Sequence, residues 1–128
     1  MSLHEVMVRY RDAWERNDWD EATAIWSDDI IHHVAGHGPL SGTFTGKSNF
    51  LDHYSSVFEK LGGTIEVVGF HDILFSEDHA VALVTERAVR GHRTLEFNRV
   101  VVYHVAGEQI AETWSYDWDP GALDAFWA

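Results

Sequence analysis

The sequence predicts an α+β fold in a single domain that spans residues 1–128. Apolar residues recur at helical spacing in the first half of the chain, up to Leu61. The pair Gly62-Gly63 ends that pattern, and four β-rich runs separated by short polar or glycine-containing breaks follow it. Helices first and strands afterwards, without regular alternation of the two, is typical of α+β domains.

Two helices are predicted at the start of the chain. The first covers Glu5–Arg16, where one apolar stripe runs between charged positions. Asp18 followed by Glu21 is a capping-box pattern, which predicts a second, short helix. The stripe of the first helix consists of Leu3, Val6, Met7, Tyr10, Ala13 and Trp14, and the buried side of the second consists of Trp19, Ala22, Ile25 and Trp26.

A short strand and a third helix are predicted next. The strand covers Ile30–Val34, where β-branched residues flank His32 and His33. The following segment is rich in glycine and contains Pro39, which predicts a loop. The third helix covers Gly46–Leu61, and its stripe consists of Phe50, Leu51, Tyr54, Val57, Phe58 and Leu61.

The second half of the chain is predicted to form a curved sheet. Its breaks are short enough for hairpins, so we expect an antiparallel or mixed sheet of five or six strands. Packed on three helices, such a sheet leaves a hollow between the layers. Asp119-Pro120 predicts the start of a last helical turn. The four β-rich runs are Thr64–Phe75, Ala80–Arg90, Arg93–Val105 and Gln109–Trp118.

Composition limits the classes of function. The net charge is −12, which disfavours nucleic acid and anionic membrane surfaces as partners. Six Trp, seven Phe and four Tyr provide enough aromatic surface for a core, an apolar pocket or an interface. There is no cysteine, no apolar run long enough to span a membrane and no signal-peptide pattern at the start. We therefore expect a cytoplasmic protein with neither a disulfide nor a membrane segment.

The order of elements and several short segments resemble the nuclear-transport-factor-2-like (NTF2-like) superfamily, which includes ketosteroid isomerases and SnoaL-like polyketide cyclases. The resemblance extends over essentially the whole chain and implies a cone-shaped fold with one conical cavity. This fold hosts many functions, so the resemblance implies an architecture rather than a reaction. The segments that carry it are Val8–Trp14 with Asn17-Asp18, Ser27–Asp29, Gly38–Gly42, Thr43–Gly46 and Asp124–Trp127.

The resemblance also implies roles for individual residues. Tyr10 falls where the isomerases keep the tyrosine of their oxyanion hole. Their general base would fall near Val34 and their second oxyanion-hole acid near Val100 or Val101, and none of these positions carries a carboxyl group. The nearest titratable replacement for the base is His33. In the cyclases an aspartate of the last strand serves as acid or base, and Asp117 is the nearest candidate.

Histidines mark the end of the first predicted strand. His33 is the expected general base, because an unperturbed imidazole moves protons near neutral pH. The alternative is a structural or exposed His33. His32 points to the opposite face by strand alternation, and His37 is expected near the cavity mouth. His33 and His37 have the spacing of a helical zinc pair, but the glycines exclude a helix there, so we expect neither a metal nor a cofactor.

Aromatic side chains are expected either to line the cavity or to pack as core. Alternation along the last run places Trp114 and Tyr116 on one face and Asp117 on the other. If the aromatic face is inward, Asp117 is not catalytic, whereas a bulge could bring Asp117 inside. The expected ligand contacts are Trp14, Trp26, His37, Phe50, Tyr54, Trp114 and Tyr116.

Charged residues of the strands are expected to pair on the exposed face of the sheet, where apolar residues also remain and predict a homodimer. These charged residues are Glu86, Arg87, Arg99 and Glu112.

Together the patterns predict a pocket for a small, apolar, ring-bearing ligand. Proton transfer next to a carbonyl, as in an isomerase or cyclase, would use His33 as base and Tyr10 as oxyanion donor, with Asp117 as a further candidate. The alternative is a non-catalytic binding or dimerisation module whose own aromatic side chains fill the cavity.

Overall fold

The computed structural model describes all 128 residues as four helices and one six-stranded sheet. The helices are α1 (Leu3–Glu15), α2 (Trp19–Thr23), α3 (Lys47–Leu61) and α4 (Pro120–Trp127). The strands are β1 (Trp26–Val34), β2 (Gly42–Thr45), β3 (Gly63–Phe75), β4 (His79–Arg90), β5 (Arg93–Ala106) and β6 (Gln109–Asp117). No helix combines the length and apolar character needed to cross a membrane.

Local sequence explains where the helices begin and end. The hydroxyl of Ser2 and the side chain of Glu5 form a capping box at the start of α1. The Asp18 carboxylate caps α2 by accepting a hydrogen bond from the backbone N–H of Glu21. Helix α3 ends at Gly62, whose φ of +69° is a left-handed conformation that glycine adopts at little cost.

The sheet order is β2-β1-β6-β5-β4-β3, and one pairing in it is parallel. β1 lies parallel to β6, while all other neighbouring strands are antiparallel. The mixed sheet agrees with the predicted fold class, and β2 is a strand that the glycine-rich loop prediction missed. β1 also begins earlier than predicted, at Trp26, which was assigned to the second helix. Because β1 extends back to Trp26, the Trp26 side chain lies in the core on the helix-covered side of the sheet.

The helices cover one face of the sheet, here called the inner face, and the opposite face is called the outer face. The main core forms between α1, α3 and the inner face, and it includes Val6, Met7, Ala82 and Val101. Register shifts mark bulges in β3 and between β5 and β6, and bulges bend the strands that contain them. The candidate site lies between this sheet and the helices.

Candidate functional site

A cavity of about 100 Å³ lies between the inner face and the helices. A water molecule needs roughly 10–15 Å³ of such space, and an engineered cavity of ~150 Å³ holds benzene, so this cavity suits a molecule of about one ring. Most of its wall is apolar. Predicted ligand contacts that line it are Trp14, Trp26, Phe50 and Tyr54, together with the predicted oxyanion donor Tyr10.

Tyr10 and Trp26 form the polar part of the aromatic wall. The indole Nε1–H of Trp26 donates a hydrogen bond to the Tyr10 hydroxyl oxygen at 3.0 Å. The hydroxyl proton of Tyr10 therefore remains free to donate to a ligand. Burial raises the pKa of Tyr10 to about 12, which keeps the phenol protonated at neutral pH. The arrangement suits a hydrogen-bond donor for a ligand oxygen.

His32, and not His33, is the histidine of the cavity. His32 is only 5% exposed, packs between the rings of Trp26 and Phe50, and lines the pocket. Its Nδ1 lies 2.6 Å from the Thr113 hydroxyl, while its Nε2 is buried without a hydrogen-bond partner. Burial, with a smaller contribution from His33, lowers the pKa of His32 to about 4. This imidazole is therefore neutral at pH 7, which makes it a weak base but an available hydrogen-bonding group.

His33 lies on the outer face, so the expectation that it faces the cavity is wrong. Its Nε2 is 2.6 Å from a carboxylate oxygen of Glu112, and its ring stacks on Trp114. The physical reason is strand alternation: Trp26, Ile30, His32 and Val34 of β1 are the buried set, which leaves His33 on the opposite side.

A charged triad of Glu86, Arg99 and Asp117 borders the cavity. The guanidinium of Arg99 donates from Nε to Asp117 at 2.9 Å and lies 3.1 Å from Glu86 through Nη1. The three side chains are between 9% and 14% exposed. Arg99 and Glu86 line the pocket, and Asp117 stands behind Arg99 in the paired register of β5 and β6.

Glu86 is the carboxyl group of the triad that lines the cavity. Burial raises its pKa; Arg99 opposes that rise, and Asp117 adds to it. One guanidinium shared by two carboxyl groups leaves the triad one negative charge in excess. The Oε2 atom of Glu86 is buried and makes no well-aligned hydrogen bond despite its closeness to Arg99. Glu86 itself is among the residues that line the cavity, so its side chain borders the space that a ligand would occupy.

The sequence pattern of the SnoaL-like domain matches residues 7–113. The chain belongs to the SnoaL-like family. The mycobacterial protein Rv0034 from Mycobacterium tuberculosis, itself described as uncharacterized, is 29% identical over 117 residues, which cover 91% of this chain and 88% of that protein. NTF2-like proteins are among the structural neighbours, which confirms the NTF2-like fold.

Two solved structures show how completely the fold is shared. A protein with a cystatin-like fold from Xanthomonas campestris superposes with a TM-score of 0.87 at 23% identity, covering 100% of this chain and 99% of that one. TerC, co-crystallised with polyporic acid, superposes with a TM-score of 0.77 at 16% identity, covering 97% and 96%. At these identities the similarity establishes the fold alone.

Within this SnoaL-like domain, a bulge in β6 decides which residues reach the cavity. Val105 pairs with Ile110 and His104 with Glu112, so Ala111 is an extra residue on β6. The bulge reverses the alternation that the sequence predicted from Ile110 onward. Thr113 and Ser115 line the cavity and Asp117 faces Arg99, whereas the expected ligand contacts Trp114 and Tyr116 lie on the outer face.

Two other expectations are wrong for related reasons. Glu86 and Arg99 were expected on the exposed face, but Glu86 lines the cavity between the inward positions Val84 and Ala88, and Arg99 shares its face with Val101. Strand alternation with these apolar neighbours could have identified both. His37 lies exposed in its loop and does not line the cavity of the SnoaL-like domain. The expected absence of a metal at His33 and His37 stays a prediction.

The cavity opens at the junction of α1 and α2. Asn17 and Trp19 line it and are also exposed, so this side of the SnoaL-like domain is the mouth. Asn17 has a φ of +52° and bonds through its amide to both the N–H and the C=O of Val67 on β3. These bonds fix the distance between the helical layer and the sheet at the mouth.

Proposed function

We propose that this SnoaL-like protein binds a small, apolar molecule of about one ring and transfers a proton next to its carbonyl group. The observation that carries this proposal is a carboxyl group of raised pKa, Glu86, in the same aromatic cavity as the hydroxyl of Tyr10. A carboxyl group in an apolar site approaches the pKa that general acid–base catalysis requires. The reaction uses side chains of the chain alone and no cofactor.

The proposed step balances within the cavity. The Glu86 carboxylate takes a proton from the carbon next to the ligand carbonyl, and the C–H electron pair forms the enolate. The hydroxyl of Tyr10 donates a hydrogen bond to the enolate oxygen, where the negative charge develops. The neutral Glu86 then returns the proton to the same carbon or to a conjugated one. Asp117 holds Arg99, so its proposed role is to position the triad rather than to contact the ligand.

The SnoaL-like match and the structural neighbour TerC both support a cavity that binds a small molecule. The SnoaL-like match extends from helix α1 to Thr113 and so includes the cavity residues Tyr10 and His32. TerC was crystallised with the small molecule polyporic acid. Both observations support ligand binding, and the reaction rests on the geometry of Glu86 and Tyr10.

Deuterium exchange tests the reaction directly. Cyclohexanone and 3-cyclohexenone are one-ring ketones that match the cavity volume, and NMR follows the exchange of their α-protons in D₂O. We expect Glu86→Gln to lower the catalysed rate by about 10²–10⁴, the usual contribution of a general acid or base. Tyr10→Phe should lower it by about 10²–10³, the usual cost of one oxyanion donor.

Two matched variants serve as controls for that experiment. Glu66→Gln changes an exposed carboxyl group that pairs with Arg87, away from the cavity lining. His33→Gln changes the outer-face histidine. Both should leave the exchange rate unchanged. Exchange at the wild-type rate in Glu86→Gln, or loss of exchange in His33→Gln, would contradict the proposal.

The second candidate is a binding module without catalysis. It is favoured by the small cavity and by the pairing of its polar groups: Tyr10 with Trp26, His32 with Thr113, and Arg99 with Asp117. Cyclohexanone would then quench the fluorescence of the cavity tryptophans, and its α-protons would exchange no faster than in buffer.

We also propose that two copies of the chain pair through the outer face. Apolar side chains run across this face in register, with Val81 opposite Val102 and Val102 opposite Trp114. Half-exposed Tyr116 and Leu74 continue the patch. Isologous pairing of such patches is the commonest route to dimers.

Light scattering at micromolar concentration should give twice the chain mass of 14.6 kDa. Val102→Asp should give a monomer, because it places a charge in the centre of the apolar patch. Lys60→Glu on helix α3, on the helical side of the molecule, is the control and should remain dimeric. A wild-type monomer would overturn the dimer without affecting the proposed reaction.

A further inference from the structure

A second cluster of chemically active side chains lies on the outer face, on the other side of the sheet from the cavity. Asp78 ends the turn between β3 and β4, His79 is the first residue of β4, and His104 lies directly opposite His79 on β5. One nitrogen of each histidine and one carboxylate oxygen of Asp78 lie within 4.8 Å of one another. Sequence reasoning did not predict this cluster, because His79 and His104 lie on different strands and meet only through the pairing of β4 with β5.

The individual distances show that the three groups point toward one centre. His79 Nδ1 is 2.8 Å from Asp78 Oδ1, and His104 Nδ1 is 3.9 Å from Asp78 Oδ2. The two imidazole rings have centroids 4.7 Å apart and are inclined by 38°. Ligand atoms around a tetrahedral zinc ion, at 2.0–2.2 Å from the metal, are roughly 3.3–3.5 Å apart. Small side-chain rotations would therefore bring all three atoms to bonding distance.

The backbone holds the cluster in place. Three hydrogen bonds between Ser76 and His79 close the turn. The Ser76 N–H and the Ser76 hydroxyl donate to the His79 carbonyl at 2.8 and 3.3 Å, and the His79 N–H donates to the Ser76 hydroxyl at 3.2 Å. The N–H of Val105 donates to the carbonyl oxygen of Asp78 at 3.0 Å, which ties the turn to the end of β5. The donor atoms are thus pre-positioned by main-chain contacts, as a metal site requires.

Nδ1 of His104 is buried and lacks a hydrogen-bond partner in the protein. Such an atom is costly unless something else satisfies it. Glu112 lies opposite His104 in the ladder, but its carboxylate is already bound to His33 at 2.6 Å. Asp78 therefore remains as the carboxylate available to this site.

From this geometry we propose that Asp78, His79 and His104 bind one divalent transition-metal ion such as Zn²⁺. Two imidazole nitrogens and one carboxylate oxygen form a donor set that zinc and its neighbours in the first row accept. The two nitrogens disfavour Mg²⁺ and Ca²⁺, which prefer oxygen ligands. The remaining coordination positions are filled by water. The bound ion joins the β3–β4 turn to the end of β5 and acts independently of the cavity.

Zinc binding to the tag-free chain, after treatment with EDTA and dialysis, tests the site by competition with a chromophoric chelator. We expect one Zn²⁺ per chain and a thermal midpoint raised by roughly 5 °C or more at saturating Zn²⁺. His104→Gln and Asp78→Asn should each weaken binding by at least about tenfold. Mg²⁺ at the same concentration should produce no shift. Co²⁺ should give a visible d–d spectrum that both variants lose.

The controls separate the site from nonspecific binding by other histidines. His92→Ala removes an exposed histidine from the turn between β4 and β5 and should bind Zn²⁺ as the wild type does. Circular dichroism of each variant without metal confirms that the fold is retained. Zinc affinity unchanged in both His104→Gln and Asp78→Asn would overturn the proposal. Half an ion per chain, or no saturable binding by the wild type, would also overturn it.

Discussion

The inner and outer faces of the sheet are built from alternate residues of the same strands, yet they place polar groups in opposite environments. The inner face has few polar side chains, and those of the Glu86–Arg99–Asp117 triad are between 9% and 14% exposed. The outer face has half-exposed histidines and ion pairs around an apolar patch. On the inner face, burial is the main cause of the altered pKa values of Tyr10, His32 and Glu86.

The two arginines of the central strands provide the sharpest version of this comparison. Arg99 is 10% exposed and faces two carboxyl groups on the inner side. Arg87 is 40% exposed and faces Glu66 and Glu96 on the outer side. Both are arginines that pair with two acids across neighbouring strands, so they differ chiefly in access to water.

Arg99→Met should have the largest effect. Removal of the guanidinium leaves Glu86 and Asp117 buried without a counter-charge, and breaking a buried ion pair in this way costs about 3–5 kcal/mol. Arg87→Met should cost no more than about 1 kcal/mol, because exposed pairs contribute little. Urea unfolding at pH 7 measures both. Equal losses in the two variants would show that the inner triad is as well solvated as the outer pairs.

His32 and His33 should differ in their effect on how stability depends on pH. The pKa of His32 is about 4 in the folded chain and near 6.5 in its ordinary state, so the unfolded chain binds the extra proton first. As pH falls from 6.5 to 4, proton binding to the unfolded chain lowers the free energy of unfolding. The total loss over this range is roughly 3 kcal/mol. Above pH 6.5 neither state is protonated and the contribution disappears.

His32→Phe should therefore flatten the acid side of the stability curve, measured by urea unfolding between pH 7 and pH 4. The phenyl ring fits between Trp26 and Phe50 and has no proton to bind. His33→Gln, one residue away on the outer face, is the matched control. Its free energy of unfolding should still fall at acid pH by the amount that His32 causes in the wild type. A His32→Phe curve parallel to the wild type would mean that another group causes the acid loss.

The sequence predicted most of the elements, but it missed strand β2 and did not give every face of the strands correctly. Helical stripes and glycine stops predicted α1, α3 and the four long strands, because these signals are local. The bulge at Ala111 and the parallel pairing of β1 with β6 arise from contacts between distant segments, and alternation counted along β6 alone gave the wrong faces for Trp114 and Tyr116. His32 and Glu86 were missed although their apolar neighbours at alternate positions indicated the inner face.

Two consecutive residues of β6 are each bound to one of the adjacent histidines at 2.6 Å. Thr113 reaches His32 inside the core, and Glu112 reaches His33 on the outer face. Thr113→Val keeps the shape but leaves His32 Nδ1 without a partner, and a buried unsatisfied group costs about 1–3 kcal/mol. Glu112→Gln should cost less than about 1 kcal/mol, since the pair is partly exposed and an amide can still bond to the imidazole.

Urea unfolding at pH 7.5, where His32 is neutral, measures both variants without interference from its titration. The ordering is the informative result, because the two bonds have equal length and differ in the water around them. A smaller loss for Thr113→Val than for Glu112→Gln would contradict it and would imply that water enters the cavity and replaces the lost hydroxyl. In that case His32 Nε2 would also be hydrated, and a ligand would have to displace that water before it could bind.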